Sequence, residues 1–429
     1  MFKKILFIMI VMQGVFVNAS VEELVVDGVK VPMIFEEDKM LPIVSIQVIF
    51  QNAGSIEDGN LSGLAKYSAN MLGEGTKSLG SVGFATALED QAIHLGVHSG
   101  METFVFELSS LKEQFPKGVS LLKTLFKEPN LTDEPFKKIQ TLMQASLQKN
   151  LSNFDYIASL NLKQTLYHDT PIGHPFSGDE QSLLDIKLDD VAGFIKRHLI
   201  REQLLFVVGG DLSKNEALAY VKDIIEVVAK GSAKPLTHFK VHADAKDTEV
   251  YKETQQAYVY FGAPFDLNAT NPDVYKAKVA AFILGAGGFG SRLMEEVRVK
   301  RGLAYSAYAR VNFAKSHSDF SGYLQTKLES KAEAIKLVKE VIADFVKEGA
   351  NKDELEQAKK FLLGSEPLRN ETLSQRLSRS FQEYYNGFKL GHSKEELKKI
   401  EALSLEDLNK FITAHDEINH LTFSVVTKK

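Results

Sequence analysis

From Leu41 to Leu363 the chain runs twice through one series of elements, and any fold it adopts has to accommodate that repetition. In the first half "LPIVSIQVIFQNAGS" (41–55) reads as a strand leading into a loop. A helix follows through "SGLAKYSANMLGEGT" (62–76), and "METFVFELSS" (101–110) alternates as a second strand. Residues 116–128 and 133–150 then carry helical amphipathic spacing. In the second half the same roles fall to a strand at 256–265, a helix at 271–288, a strand at 317–329 and helices at 330–348 and 351–363. "YSANMLGEG" (67–75) and "AAFILGAGG" (280–288) end the first helix of each half in glycines. A strand–helix–strand–helix–helix order used twice points to an internal duplication. The expected class is α+β: two duplicated domains, each a mainly antiparallel sheet covered by helices, and not a doubly wound parallel sheet. "QLLFVVGGDLS" (203–213) adds a short apolar strand to the first half, followed by a helix at 214–228.

The 429-residue length suits two or three domains. "MFKKILFIMIVMQGVFVNAS" has Lys3 and Lys4, an apolar run from Ile5 to Val17, and Val17 and Ala19 at the −3 and −1 places of a cleavage site. This is the pattern of a secretory leader, and the run is interrupted by Gln13 and Gly14, unlike a membrane anchor. We therefore divide the chain into a leader (1–19), a first domain (20–230), a linker (231–249) and a second domain (250–429). An exported chain, periplasmic or extracellular, is expected. With no cysteine it has no disulfides, no thiol nucleophile and no Cys-type zinc site. A net charge of −5 gives no electrostatic case for nucleic acid. No later segment reads as a membrane span.

The helix at 62–76 has two distinct faces. Leu61, Leu64, Ala65, Ser68 and Leu72 form an apolar stripe, Ser62 is placed to cap its start, and Gly73 and Gly75 to end it. The other face carries Lys66, Ala69, Asn70 and Gly73. Positions 66 and 70 have the separation at which a helix presents two metal ligands side by side, yet neither residue is a good ligand.

Other motifs read blandly. Gly285, Gly287 and Gly290 spell G-x-G-x-x-G, but a helix precedes them and no acid follows near 305–312, so a mobile glycine-rich connection is favoured over a dinucleotide site. His94 and His98 are separated by Gly96 in a stretch turning into a strand, where four residues span about 13 Å. His238 and His242 share that spacing within the linker, and His168 and His174 flank the turn-rich "DTPIG". None of the eleven histidines reads as part of a metal cluster. "RLMEEVRVKR" reads as a charged amphipathic helix, and beyond it "GLAYSAYAR" places Arg298 and Tyr305 across a helix end at Gly302. By themselves these fit a solvated arginine and a half-buried strand tyrosine.

Taken together, these segments resemble the inverzincin peptidases, the pitrilysin and mitochondrial processing peptidase (M16) family, over nearly the whole mature chain. "GLAKYSANMLGEGTKS" stands where the family has G-x-A-H-x-x-E-H, an apolar pair and "GT". "YHDTPIGHPFSGDEQSLLDIKLDDVAGFIKRHLIREQLLFVVGGD" is similar to the segment leading to its "vGD" strand. "LGAGGFGSRLMEEVRVKRGLAYSAYA" resembles the second-half signature "LGGG…SRL…E…R…GLAYS". In the catalytic members the two His bind zinc, the Glu between them is the general base, and a later Glu is the third protein ligand. Here the positions read Lys66, Ala69 and Asn70. The third-ligand window, 136–154, holds no acid and carries Gln140, Gln144 and Gln148 on one face. An ammonium has no lone pair, alanine cannot act as a base, and amides substitute poorly for a carboxylate on zinc. The resemblance thus implies a non-catalytic subunit with no metal or cofactor of its own. Its partner would be an H-x-x-E-H subunit of the same family that holds the zinc, and a peptide its substrate. By the same resemblance Arg298 and Tyr305 match an Arg/Tyr pair that holds substrate, and Gly285, Gly287, Gly288 and Gly290 stand, in a shorter form, at a substrate-handling glycine-rich loop. A structural scaffold subunit of a larger assembly is the rival expectation. An active peptidase with a metal at His94 or His98 is a third.

Overall fold

The computed structural model describes residues 19–429, so nearly all of the expected leader lies outside the described residues. The strands form two sheets. The first takes β1 (Ser20–Val26), β2 (Val29–Glu37), β3 (Ile43–Gln51), β4 (His94–Ser99), β5 (Thr103–Leu111) and β6 (Leu204–Gly210), in the order β1-β2-β6-β3-β5-β4. The second takes β7 (Thr248–Tyr251), β8 (Gln256–Pro264), β9 (Ala304–Phe313), β10 (Ser318–Lys327) and β11 (Thr422–Thr427), in the order β7-β11-β8-β10-β9. With β1 set aside, the two sheets match place for place. Each has one parallel pair, β2 with β6 and β7 with β11, and every other pairing is antiparallel. The architecture is therefore mixed α+β with two sheets of one topology.

The helices of the first half are α1 (Leu64–Leu72), α2 (Gly80–Glu89), α3 (Phe115–Lys127), α4 (Asp133–Asn150), α5 (Phe154–Leu166), α6 (Glu180–Asp185), α7 (Leu188–His198) and α8 (Lys214–Ile225). Those of the second are α9 (Val274–Ala281), the single turn α10 (Arg292–Met294), α11 (Lys331–Glu348), α12 (Lys352–Gly364), α13 (Leu373–Tyr385), α14 (His392–Ala402) and α15 (Leu405–Ala414). No described helix is long and apolar enough to cross a membrane.

Strand alternation sends Val44, Ile46, Val48 and Phe50 of β3 to one face, where they bury against α1 and α3 through Leu64, Leu72, Leu121 and Leu122. The second sheet does the same, with Val259 and Phe261 against Leu337, Val338 and Phe345 of α11. The opposite face of each sheet carries apolar residues too, and a helix from the other half covers it. α13 lays Leu373 and Leu377 on Ile34, Ile49, Leu205 and Val207. α5 lays Ile157 and Ala158 on Val426. Both contacts are close: a Cβ on Gly209 would lie 2.8 Å from Leu377 Cδ1, and one on Gly262 2.7 Å from Leu166 Cδ1, so a larger residue would make these leucines shift.

A tyrosine at the end of each exchanged helix completes the contact. Tyr385, the last residue of α13, donates to Glu102 at 2.8 Å, and Glu102 also accepts from the backbone and hydroxyl of Ser316 at 2.7 and 2.6 Å. Tyr167, just past α5, donates to Asp319 and to the Ser318 carbonyl, each at 3.1 Å. Burial, reinforced by the neighbouring carboxylate, pushes both phenols above their ordinary range. Arg376 of α13 adds ion pairs of 2.5 Å each to Glu36, which is buried, and Asp38.

Two sequence expectations change in detail, and the linker is given its contacts. The 271–288 helix is α-helical only to Ala281 and continues as a π-helical turn, Phe282–Ala286. "RLMEEVRVKR" is a single α turn followed by a π segment, Glu295–Lys300. The linker does not hang free: Leu236, Phe239, Val241 and Ala245 pack on Ile56, Leu162, Leu166, Tyr167 and Ile172.

The tyrosine contacts are directly testable. Tyr167→Phe and Tyr385→Phe should each lower the unfolding free energy by about 1–2 kcal/mol, because each removes a buried donor to a carboxylate. Denaturant titration of the two variants checks this.

Candidate functional site

α1 and α4 stand side by side in the first half, the arrangement in which zinc ligands from two helices would converge. α1 is not capped by Ser62. Its N-cap is Gly63, held at φ 88° with its Cα facing Gly178, where a Cβ would lie 2.7 Å from the Gly178 nitrogen. Asp58 supplies the acceptors, taking the Gly63 N–H at 2.8 Å and the Ala65 N–H at 2.7 Å. Burial raises the Asp58 carboxyl to about 7 against the opposing pull of these backbone donors. At the other end Gly73 is right-handed, and Gly75, at φ 79°, makes the left-handed turn.

Two of the three degenerate positions make packing or polar contacts. Lys66 reaches Ser177 Oγ at 3.3 Å and sits 5.1 Å from the centre of the Phe176 ring. Ala69 is buried, so the polar face expected from the sequence reduces to Lys66 and Asn70. On α4, Gln140 donates to the Leu183 carbonyl and Gln148 to Glu180, each at 2.9 Å. Amide and ammonium groups here tie α1 and α4 to the α6 region.

The second half brings together residues that are separate in the sequence. Arg298 lies in the π segment, and its guanidinium carbon is 4.4 Å from the Tyr305 ring centre and 4.6 Å from that of Phe289. Tyr305, the second residue of β9, has 80% of its surface exposed, so it is not the half-buried tyrosine the sequence favours, and Phe289 is 71% exposed. The arginine is thus clasped between two aromatic faces that point to solvent. Phe289 is the member sequence reading missed. Its only signal is a lone aromatic between Gly288 and Gly290, whose φ values of 63° and 92° hold the turn that projects it. Gly285 serves a different purpose: a Cβ there would lie 2.6 Å from the Ala309 nitrogen of β9. The helix before this turn agrees with the rejection of a dinucleotide site.

His94 and His98 of β4 are joined by no described carboxylate set; Glu107, 3.9 Å from His98, is occupied by Gln47. The structure does overturn the expectation that no histidines cluster. His168, His242 and Asp244 bring one donor atom each to within 4.8 Å of one another, the one such group among the described residues. Local spacing could not reveal it, since the linker supplies two of the three.

The chain is thus a duplicated α+β protein whose first half presents Lys66, Ala69 and Asn70 on α1 beside α4. The comparisons agree. Residues 33–180 match the insulinase family (peptidase family M16), and 185–362 match the peptidase M16 inactive domain. A Helicobacter pylori protein named as the non-peptidase homologue YmxG is 42% identical over 426 residues, 99% of this chain and 98% of that one. An uncharacterised zinc protease YmxG of Bacillus subtilis is 22% identical, covering 89% of this chain and 92% of its own. The M16 inactive-domain structure from Pseudomonas fluorescens superposes with a TM-score of 0.86 at 24% identity, over 96% of this chain and 98% of that chain. This chain belongs to the M16 family, as a non-peptidase homologue.

The cap assignment makes a clear prediction. Asp58→Ala should cost about 1–2 kcal/mol of stability, and Ser62→Ala less than about 0.5 kcal/mol. Thermal or denaturant unfolding of both variants distinguishes the two caps.

Proposed function

We propose that this chain is an exported, zinc-free subunit that pairs with a catalytic M16 partner carrying H-x-x-E-H. In this reading it contributes substrate binding and enclosure, and the partner contributes the zinc and the general base. The observation that carries the reading is the contrast between the two halves. The metal positions are filled by Lys66, Ala69 and Asn70, whereas Arg298 stands between exposed Phe289 and Tyr305. A guanidinium held by its faces keeps its N–H edge free to donate to a peptide carbonyl, and its charge helps stabilise an oxyanion as water attacks. Two large exposed aromatics beside it offer apolar contact for substrate side chains.

The glycine-rich turn, Gly285 to Gly290, supports this role by presenting Phe289. An exported location follows from the leader-like first nineteen residues.

Mixing the purified chain with its H-x-x-E-H partner should raise peptide hydrolysis from near zero. Arg298→Ala should lower kcat/KM of the mixture about 10- to 100-fold, and Phe289→Ala should act mainly through KM, with assembly unchanged by size-exclusion chromatography. A partner that is equally active alone, or kinetics indifferent to Arg298, would instead favour the scaffold reading.

A further inference from the structure

The cluster of His168, His242 and Asp244 is independent of the substrate-binding reading and joins the end of α5 to the linker. His168 lies just past the end of α5, the helix that covers the second sheet. His242 and Asp244 lie on the linker between the two halves. Both supports are fixed by backbone: the His242 N–H donates to the Leu166 carbonyl at 2.8 Å, and Val241 and Ala245 on either side pack on the apolar cluster around Leu162 and Ile172.

The donor geometry is close to that of a metal site. His168 Nε2 is 3.1 Å from Asp244 Oδ1, and His242 Nδ1 is 3.9 Å from the same oxygen. The imidazoles lie one over the other with centres 3.7 Å apart. Ligands at about 2.0–2.1 Å in a tetrahedron are about 3.3 Å from each other, so His168 and Asp244 already stand at ligand spacing and the His242 ring swings away from the His168 ring to share the ion. Two imidazoles with one carboxylate is a donor set for zinc or a similar late divalent ion; calcium and magnesium prefer oxygen alone.

An outer partner is also in place. His168 Nδ1 is 3.1 Å from Asp169 Oδ2, which fixes the ring and turns Nε2 toward the cluster. Asp169 holds a left-handed backbone, φ 58°, a conformation few non-glycine residues adopt. The side chains keep 39%, 33% and 75% of their surface in solvent, leaving a fourth position open to water.

We propose that His168, His242 and Asp244 bind zinc and clip the linker to the end of α5. Asp169, the acid beside His168, is engaged by it and so is not free to act as a general base, and the role assigned is structural and not hydrolytic.

The test uses the full mature chain, stripped with chelator and titrated with zinc chloride against a chromophoric competitor. One equivalent should bind. His168→Ala and His242→Ala should each weaken binding at least about 100-fold, and Asp169→Asn about 10- to 100-fold. Zinc should also slow tryptic cleavage after the linker residues Lys234, Lys240 and Lys246 in the wild-type chain, and not in His242→Ala. Absence of stoichiometric zinc, or unchanged binding in the His168→Ala/His242→Ala double variant, overturns the proposal. So does linker cleavage that zinc does not alter.

Discussion

The exchange of α5 and α13 between the two halves is the contact on which the rest of the molecule depends. Each sheet has two apolar faces, and its own half supplies enough helix to cover only one of them. The second face of the first sheet would expose Ile34, Ile49, Leu205 and Val207 if α13 were elsewhere. Exposed apolar area on that scale is a docking or aggregation surface, and burying it by exchange is favourable at roughly 25 cal/mol per Å². The exchange also explains two glycines and two tyrosines that sit far apart in the chain. Gly209 and Gly262 allow the helices to approach, and Tyr385 and Tyr167 secure their ends on Glu102 and Asp319. Either half alone would leave one sheet half covered, so the duplication folds as one body.

That body keeps α1 packed beside α4. α1 has to remain against α4 because its stripe, Leu64, Ala65, Ser68 and Leu72, lies in the main core of the first half. The ligand face is under no such constraint. Lys66 turns its ammonium to Ser177 and the Phe176 ring, and Gln140 and Gln148 hold the α6 segment. A lysine there disfavours a dication by charge as well as by lack of a lone pair. Restoring a ligand at Asn70 alone would thus leave the Lys66 ammonium in place as well as the other ligands missing.

Much of this architecture was legible in the sequence wherever a residue's role depended on near neighbours. α4 spans the expected 133–150, and β3, β5, β8 and β10 fall within a few residues of the expected strands, because alternation and amphipathic spacing are local signals. α5 and α13 were not anticipated. Their apolar residues face a sheet from the other half, and little in either segment announces that destination. Capping of α1 was misassigned for a related reason: Asp58 reaches the helix from beyond a turn at Gly59, whereas Ser62 stands next to it. Of the site residues, Arg298 and Tyr305 came from the ordered signature around them, and the geometry that joins them needed the fold. Phe289 and the histidine cluster needed it entirely.

The two halves also show how duplication lets one position serve different ends. The helix that carries Lys66, Ala69 and Asn70 in the first half corresponds to α9 in the second, where the matching places are Val279, Phe282 and Ile283. Two of these places, Phe282 and Ile283, fall in a π turn that follows α9, and its wider turn redirects the chain into the glycine stretch. That redirection carries Phe289 out to solvent, beside Arg298 of the following π segment. Irregular backbone of this kind is less favourable than continuous α-helix, and it occurs twice between Phe282 and Lys300, the stretch that carries Phe289 and Arg298. In the first half the regular helix survives and its chemistry has gone; in the second the regular helix has been given up where an exposed side-chain arrangement takes its place.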